Sequence, residues 1–388
     1  MKQVISKIQK KLLKTNFENK VFIVGGFVRD MLMGNDPHDI DLTIEGSFDD
    51  ALDLVALLGG QNLVTFPEFG VARFTINNFE IEVTTTRKET YDPASRLPIV
   101  SQTTLVEDIK RRDFTINSLV LNISTGEVID LVGGQNDIQS RMIRALDADQ
   151  KFKDDPVRIL RAVRFAARLG FNIESETNLA MMKNIARLSV ITKERIRDEF
   201  IALLKTNSKA LETLIQTGMM EFIIPNFDGF NLNDNGCWEI KLAVLLDKHN
   251  DVEKVLRDLK FSNVQIQLIS NIIQIKDKLN NVSDSMMRRL VDEFGIDTLS
   301  LSIQAAKSTP GADIVTLNHL LDDLKFGKFT ITDNGKVKPL LNGKDLMKMF
   351  GLKPSTLIKD LISFQLDKIF DNPDIRVDEM VDLLKDKI

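Results

Sequence analysis

In His38-Asp39-Ile40-Asp41-Leu42-Thr43, two carboxylates stand one residue apart in a segment that alternates polar and apolar. Successive side chains of a strand point to opposite faces, so Asp39 and Asp41 share one face while Ile40 and Leu42 are free to enter a core. Carboxylates this close repel unless a cation lies between them or one keeps its proton. Hard oxygen donors, with no histidine or cysteine cluster beside them, point to Mg²⁺. Two such ions about 3.5–4 Å apart can activate an attacking hydroxyl and steady a leaving phosphate. On a strand with no other signal, an Asp-x-Asp pair is ordinarily solvated, so its surroundings must decide.

Upstream, Val21-Phe22-Ile23-Val24 is a short apolar run ending in Gly25-Gly26, and a helical stretch follows to Met33. A strand–glycine–helix element of this kind lets backbone N–H groups approach an anion, and Arg29 lies within reach of a triphosphate. The alternative is a tight turn carrying a surface arginine. Glu82 lies on a second strand between Ile81 and Val83. It either joins the aspartates as a third carboxylate or stands exposed. In Arg111-Arg112-Asp113-Phe114-Thr115-Ile116-Asn117, two arginines offer donors to phosphate, and an acid offers an acceptor to a ribose hydroxyl.

The richest stretch runs from Asp154 to Arg168. Acids before Pro156 mark a helix start. Asp155, Arg158, Arg161 and Arg164 recur every three residues and line one side, while Ile159, Leu160, Val163, Ala166 and Ala167 supply the buried side. Cytosine and adenine each present an amino donor beside a ring-nitrogen acceptor, which a carboxylate and an arginine match. Uracil and guanine invert that pattern. One Asp155–Arg158 pair can therefore accept C and A and reject U and G without a nucleic-acid template.

The elements that hold these residues fall into two stretches. Up to about residue 135 the reading is α/β, with strands at Asp39–Ile44, Ala72–Ile76 and Glu80–Thr86 and a helix at Asp49–Leu58. An Asn77-Asn78 turn joins the second and third strands, a hairpin around Thr125-Gly126 joins Leu119–Ile123 to Val128–Leu131, and Asp92 to Thr104 reads as a loop. After Gly134 long segments of helical period follow, broken at Gly170, Pro225, Asn233-Asp234-Asn235-Gly236, Pro310 and Pro354.

The chain of 388 residues, 43% apolar and 28% charged, needs more than one core. It has no apolar run of the ~18 residues a membrane span requires. Cys237 is the sole cysteine, which excludes a disulfide framework and fits a reducing, cytoplasmic home. A net charge of −5 excludes a globally basic coat, but Arg141 to Arg168 and the lysine-rich start are local basic faces. That start, with Val4, Ile5, Ile8, Leu12 and Leu13 at helical spacing, reads as an ordinary first helix rather than a targeting presequence.

In order and spacing, Val24-Gly25-Gly26-Phe27-Val28-Arg29-Asp30, Asp39-Ile40-Asp41, Arg111 to Asn117 and Asp155 to Phe165 resemble the class II tRNA nucleotidyltransferase/poly(A) polymerase family over roughly residues 20–200. The resemblance implies an α+β fold: a polymerase-β-like nucleotidyltransferase head with a mixed sheet and helices, then an all-α neck, body and tail. The corresponding expectation is head 1–138, neck 139–200, body 201–330 and tail 331–388. It implies Asp39 and Asp41 as catalytic metal ligands and Gly26, Arg29, Arg112 and Asp113 as nucleotide contacts, while Glu82 stays a candidate third ligand on its strand position alone. Asp155 and Arg158 match its base-reading pair, and Arg161 and Arg164 its triphosphate contacts. Asp130, Gly133, Gly134 and Asp137 resemble its hinge, and Thr192 to Phe200 resembles its helix-stabilising motif. Asp154 stands where the family usually has Glu.

The implied reaction is addition of CCA from CTP and ATP to the 3′ end of tRNA, with Mg²⁺ as cofactor and no membrane or obligate protein partner. The long segment from Arg87 to Lys110 argues against CC-only addition, while its wording keeps A-only addition open. Poly(A) synthesis and a non-enzymatic RNA-binding homologue are the remaining alternatives. The run Leu242 to His249 lacks the His-Asp doublet of members that carry a phosphohydrolase site, so no hydrolase activity is expected.

Overall fold

The computed structural model describes residues 2–37, 39–77, 79–90, 99–227, 229, 236–279, 282–307, 313–326 and 337–388. Two compact units emerge. The first extends to Glu199 and adds Glu212–Met219; the second comprises Phe200–Leu211 and Met220–Ile388.

Along the chain the first unit runs α1 (Lys2–Leu12), β1 (Val21–Val24), α2 (Gly26–Leu32), β2 (Ile40–Ile44), α3 (Phe48–Leu58), β3 (Gln61–Phe66), β4 (Val71–Ile76), β5 (Phe79–Thr85), β6 (Arg87–Thr90), β7 (Ile99–Gln102), α4 (Leu105–Arg111), β8 (Val120–Asn122) and β9 (Val128–Ile129). Then follow α5 (Gly134–Gln139), β10 (Met142–Ile143), α6 (Ala148–Asp154), α7 (Val157–Leu169), β11 (Asn172–Ile173), α8 (Ser175–Asn184) and α9 (Lys193–Leu204), whose residues up to Glu199 belong to the first unit. Seven strands form one mixed sheet in the order β3-β4-β5-β2-β1-β8-β9, with β2 and β5 parallel.

Burial sets the two faces of that sheet. Ile40, Leu42 and Ile44 join a core with Val4, Ile8 and Leu12 of α1 and Leu54 and Leu58 of α3. The lysine-rich start is thus a helix whose apolar stripe, spaced four residues apart, closes this face. On the other face Phe22 and Val24 pack with Leu105 and Ile109 of α4. The aspartates of β2 and the C-terminal end of α4 consequently share a side of the sheet.

Local chemistry fixes the ends of these elements. Ser47 and Asp50 form a reciprocal capping box at the start of α3, and Gly59 ends it with φ 72°. Gly25 leads into α2 at φ 71° and ψ −131°, a backbone that only glycine adopts without strain. Asp130 Oδ1 accepts from the N–H groups of Gly133 at 2.8 Å and Gly134 at 3.0 Å, covering the open start of α5.

Several expectations need adjusting. The segment Asp92 to Thr104 is not all loop: β7 occupies Ile99–Gln102 and pairs with β6 from Arg87, while residues 91–98 lie outside the described residues, as do Asn78, Asn233, Asp234, Asn235 and Pro310. Strand β3 was missed because Gln61 to Phe66 buries no face and so shows no alternation. In α7, Ala162 is buried and Ala166 only half-buried.

The second unit is helical. Ile275, Leu290, Leu299 and Ile303 centre one cluster, and Leu346, Leu361, Phe370 and Met380 centre another. Gln365 is fully buried; its Oε1 accepts from Leu341 N at 2.9 Å and its Nε2 donates to Leu341 O at 3.1 Å. No helix among the described residues is long and apolar enough to cross a membrane.

Candidate active site

A cavity of about 1040 Å³ in the first unit gathers nearly every residue singled out above. Asp39 and Asp41, Gly25 and Gly26, Arg29, Arg112 and Asp113, and Asp155, Arg158, Arg161 and Arg164 all line it. Strand β2 carries Asp41 and begins directly after Asp39, Arg112 caps the C-terminal end of α4, and α7 brings the arginine wall.

The surroundings of Asp41 oppose its charge. Burial, then the charges of Glu82 and Asp39, push its carboxyl above the ordinary range, against the opposing pull of Arg112 and Arg73. Glu82 is the register partner of Asp41 on the parallel strand β5, but its carboxylate accepts from Arg73 Nε at 2.7 Å and it does not line the cavity. Among the described residues no three His, Cys, Asp or Glu side chains converge as a metal cage. Two carboxylates nonetheless suit a small hard cation that completes its shell with water and substrate phosphate. The donor set fits Mg²⁺ on that basis.

The alternative of Arg29 as a surface arginine does not describe its place. It is only 2% exposed. Its Nε donates to Asp30 Oδ1 at 2.8 Å and its Nη1 to Asn117 Oδ1 at 2.7 Å. A Cβ on Gly26 would stand 3.4 Å from Arg29 Nη2, in van der Waals contact with this guanidinium. Arg29, Arg161 and Arg164 also surround the ring of Phe165, at 5.5, 5.4 and 4.6 Å from its centroid.

Asp108 was not anticipated. Its side chain is 1% exposed and binds two adjacent arginines, Arg111 at 2.8 Å and Arg112 at 2.9 Å. Burial opposes its charge, but the Arg112 and Arg111 guanidinia outweigh burial and hold the carboxyl below its usual value. The signal for it was present: Asp108 lies three and four residues before the arginines on one helix.

On α7 the arginine stripe is organised by acids. Arg161 donates through Nε to Asp113 at 2.9 Å and through Nη1 to Glu199 at 3.2 Å. Arg164 Nε donates to Glu199 at 2.7 Å. Asp113 is opposed by burial, yet Arg161 beside it holds its carboxyl down. The backbone N–H of Arg158 donates to Asp155 O at 3.1 Å, while its guanidinium, on a residue 9% exposed that lines the cavity, makes no hydrogen bond or ion pair among the described residues. Asp155 accepts from Arg195 Nη2 at 2.7 Å. Asp154 instead accepts from Gln150 at 2.7 Å and does not line the cavity.

Behind the site, Thr115 donates to Asp137 at 2.6 Å, and Arg144 Nε donates to the same carboxylate at 3.1 Å. A Cβ on Gly134 would stand 2.4 Å from Thr115 O, so only glycine permits this approach. In the second unit Asp247 pairs with Lys276 at 2.8 Å, and His249 Nε2 lies 2.9 Å from Pro225 O.

Comparison with known proteins identifies the family. A sequence model of the Poly A polymerase head domain matches residues 21–144, and one of tRNA nucleotidyltransferase domain 2 matches residues 233–372. Between them, residues 170–230 match a model named for an RNA and SrmB-binding site of polymerase A. The chain is 30% identical over 377 residues to the CCA-adding enzyme of Streptococcus gordonii, covering 92% of this chain and 90% of that one. It is 37% identical over 213 residues to the A-adding tRNA nucleotidyltransferase of Aquifex aeolicus, covering 51% of this chain and 26% of that one. Among solved structures, the Bacillus stearothermophilus CCA-adding enzyme in complex with CTP superposes with a TM-score of 0.74 at 22% identity, over 96% of this chain and 94% of the other. At that identity the likeness speaks to the fold.

Proposed function

From the premise that this chain belongs to the class II tRNA nucleotidyltransferase/poly(A) polymerase family, we propose that it adds CCA, from CTP and ATP, to the 3′ end of tRNA. The observation that carries this reading is the meeting, in one cavity, of the Asp39–Asp41 pair with Asp155 and the Arg158 guanidinium, which has no partner among the described residues. The near full-length match to a CCA-adding relative favours the complete activity over A-only addition, since the A-adding relative aligns over half of this chain.

The family's chemistry depends on a divalent cation, and we assign it as Mg²⁺ held by Asp39 and Asp41. When bound, the cation lowers the cost of deprotonating the RNA 3′ hydroxyl and offsets charge on the phosphates. The 3′ oxygen then forms a bond to the α-phosphorus as the bond to pyrophosphate breaks. Arg112, Arg161 and Arg164 offer guanidinium donors to the triphosphate. Gly26 lies beside Arg29 at the cavity wall, and Asp113 accepts from a ribose hydroxyl. Asp155 accepts the amino hydrogens of C or A, and Arg158 donates to the ring nitrogen; U and G would leave both unpaired. Head, neck and body are assigned boundaries at 138 and 200, the expected body–tail boundary at 330 lies outside the described residues, and the helical parts are taken to support tRNA. The reaction is assigned to the cytoplasm and needs no protein partner.

The test is incubation with tRNAs lacking CCA, CA or only the final A, each NTP supplied separately and the 3′ ends sequenced. Addition of C to the first two and of A to the third is expected. A alone on the third transcript, with no C on the others, would make this an A-adding enzyme. A long A tract would make it a poly(A) polymerase.

A further inference from the structure

Helix α9 presents two charged side chains four residues apart, on one face, to opposite ends of the arginine wall. Glu199 binds Arg161 and Arg164, the phosphate end. Arg195 binds Asp155, the base end, and itself lines the cavity. The Asp155 side chain is 11% exposed, and Arg195 is its only ion-pair partner among the described residues. Its second oxygen, Oδ1, lies 3.4 Å from the N–H of Val157. A carboxylate turns easily about its last torsion, whose wells are broad. With Oδ2 engaged by Arg195, that rotation is stopped and a lone-pair side of the group is left toward the cavity.

We propose that Arg195 is a specificity-positioning residue: by fixing the carboxylate of Asp155 it sets which Watson–Crick edges the site accepts. The proposal rests on the reading of Asp155 as a base contact. Arg195 is itself 48% exposed, and an ion pair with so wet a partner adds little to stability. Its contribution therefore lies in orientation. An unheld carboxylate has no fixed acceptor to offer an amino group, so discrimination falls before turnover does. Glu199, by contrast, touches only phosphate-facing arginines, and its loss has no route to base choice.

Single-nucleotide incorporation of CTP, ATP, UTP and GTP on tRNA lacking its last three residues separates these roles. Arg195→Met is expected to raise the ratio of UTP to CTP use, in kcat/KM, about tenfold, the low end for one charge-assisted hydrogen bond misplaced. Arg195→Lys, which keeps the charge but not the planar fork, should recover part of that ratio. Glu199→Gln should raise KM for all four nucleotides alike and leave the ratio unchanged. Uniform slowing by Arg195→Met, matching Glu199→Gln, would reduce Arg195 to a scaffold residue and overturn the proposal. Should Arg195→Met fail to fold, the lysine variant decides: a ratio equal to wild type overturns the proposal as well. Asp155→Asn run in parallel keeps the two ideas apart. If it leaves the ratio unmoved, the base-reading assignment fails whatever Arg195 does; if it moves the ratio and Arg195→Met does not, only the Arg195 proposal fails.

Discussion

The two units bury different kinds of residue. Asp108, Asp113, Asp137, Asp155, Arg29 and Arg158 are all buried in the first, most of them around one cavity. Among its described residues the second buries only Lys241, Lys276, Ser302 and Gln365 as polar groups. Three of those four satisfy backbone groups: Lys241 donates to Thr206 O, Ser302 to Thr298 O, and Gln365 spans Leu341. Removing charge from water costs several kcal/mol per ion before any pairing gain. The first unit hides four acids and two arginines, most of them at the cavity, whereas the charged groups the second hides are two lysines, one on Thr206 O and one paired with Asp247.

The sharpest way to break this contrast is at the cation pair. Asp39→Ala or Asp41→Ala should lower kcat by roughly 10³ or more, ~4 kcal/mol in the barrier, with the thermal melt and tRNA binding kept. Single-turnover addition to tRNA measures it. Retention of more than about a tenth of wild-type kcat, a loss below ~1.4 kcal/mol, would leave those acids as ordinary strand residues.

A second test concerns an acid that orients rather than reacts. Asp108→Asn removes the shared partner of Arg111 and Arg112 while keeping size. Because those arginines are 19% and 16% exposed they can partly rehydrate, so the expected loss is ~2–3 kcal/mol rather than the larger figure for a sealed pair. The pH dependence has a definite sign. The folded carboxyl sits below its unfolded value of about 3.9, so its contribution is full above that pH and fades as pH falls through the folded value. Urea melts of wild type should therefore steepen in their loss of stability below pH ~4, and the asparagine variant should lack that component.

Asp108 also shows where sequence stops being legible. The aspartates, Arg112 and the α7 stripe announced themselves because catalysis demands fixed types at fixed spacings. Their strands and helices followed from period, as the burial of Ile40 and Leu42 bears out. Arg29 was visible as a residue but not as a buried one, since its depth depends on Asn117, 88 residues away. Glu199 and Arg195 were placed in a motif, yet their division of labour depends on how α9 docks on α7. Strand β3 had no periodic signal to read, because its pairing with β4 is a backbone matter and both of its faces stay exposed.

The support role of the second unit is tested by Gln365→Leu. The change leaves the N–H and C=O of Leu341 unpaired in a buried place, at about 2 kcal/mol. Denaturation of the second unit should come earlier, while CTP affinity stays within about twofold, a difference under ~0.5 kcal/mol. A collapse of CTP binding in folded protein would mean that the contrast between the units does not hold.

The smallest effect, and the finest division, lies at Glu82. Its register opposite Asp41 makes it a candidate third ligand, while Arg73 at 2.7 Å engages the same carboxylate. If Glu82 acts only through its charge, Glu82→Gln should raise the Mg²⁺ concentration for half-maximal activity about two- to threefold, and Arg73→Ala should lower it by a similar factor, as expected for screened charges in a half-exposed pair. Opposite signs and an unchanged kcat would identify a through-space effect. Direct ligation predicts something else: Glu82→Gln would lose a coordinating oxygen, raise the Mg²⁺ requirement tenfold or more, ~1.4 kcal/mol, and depress kcat with it. Because Arg73 is 64% exposed and Glu82 31%, neither substitution should move stability by more than ~1 kcal/mol. The metal titration therefore reads the site and not the fold. We expect the through-space result, since the paired arginine leaves Asp39 and Asp41 as the two carboxylates in the cavity free to hold the ion.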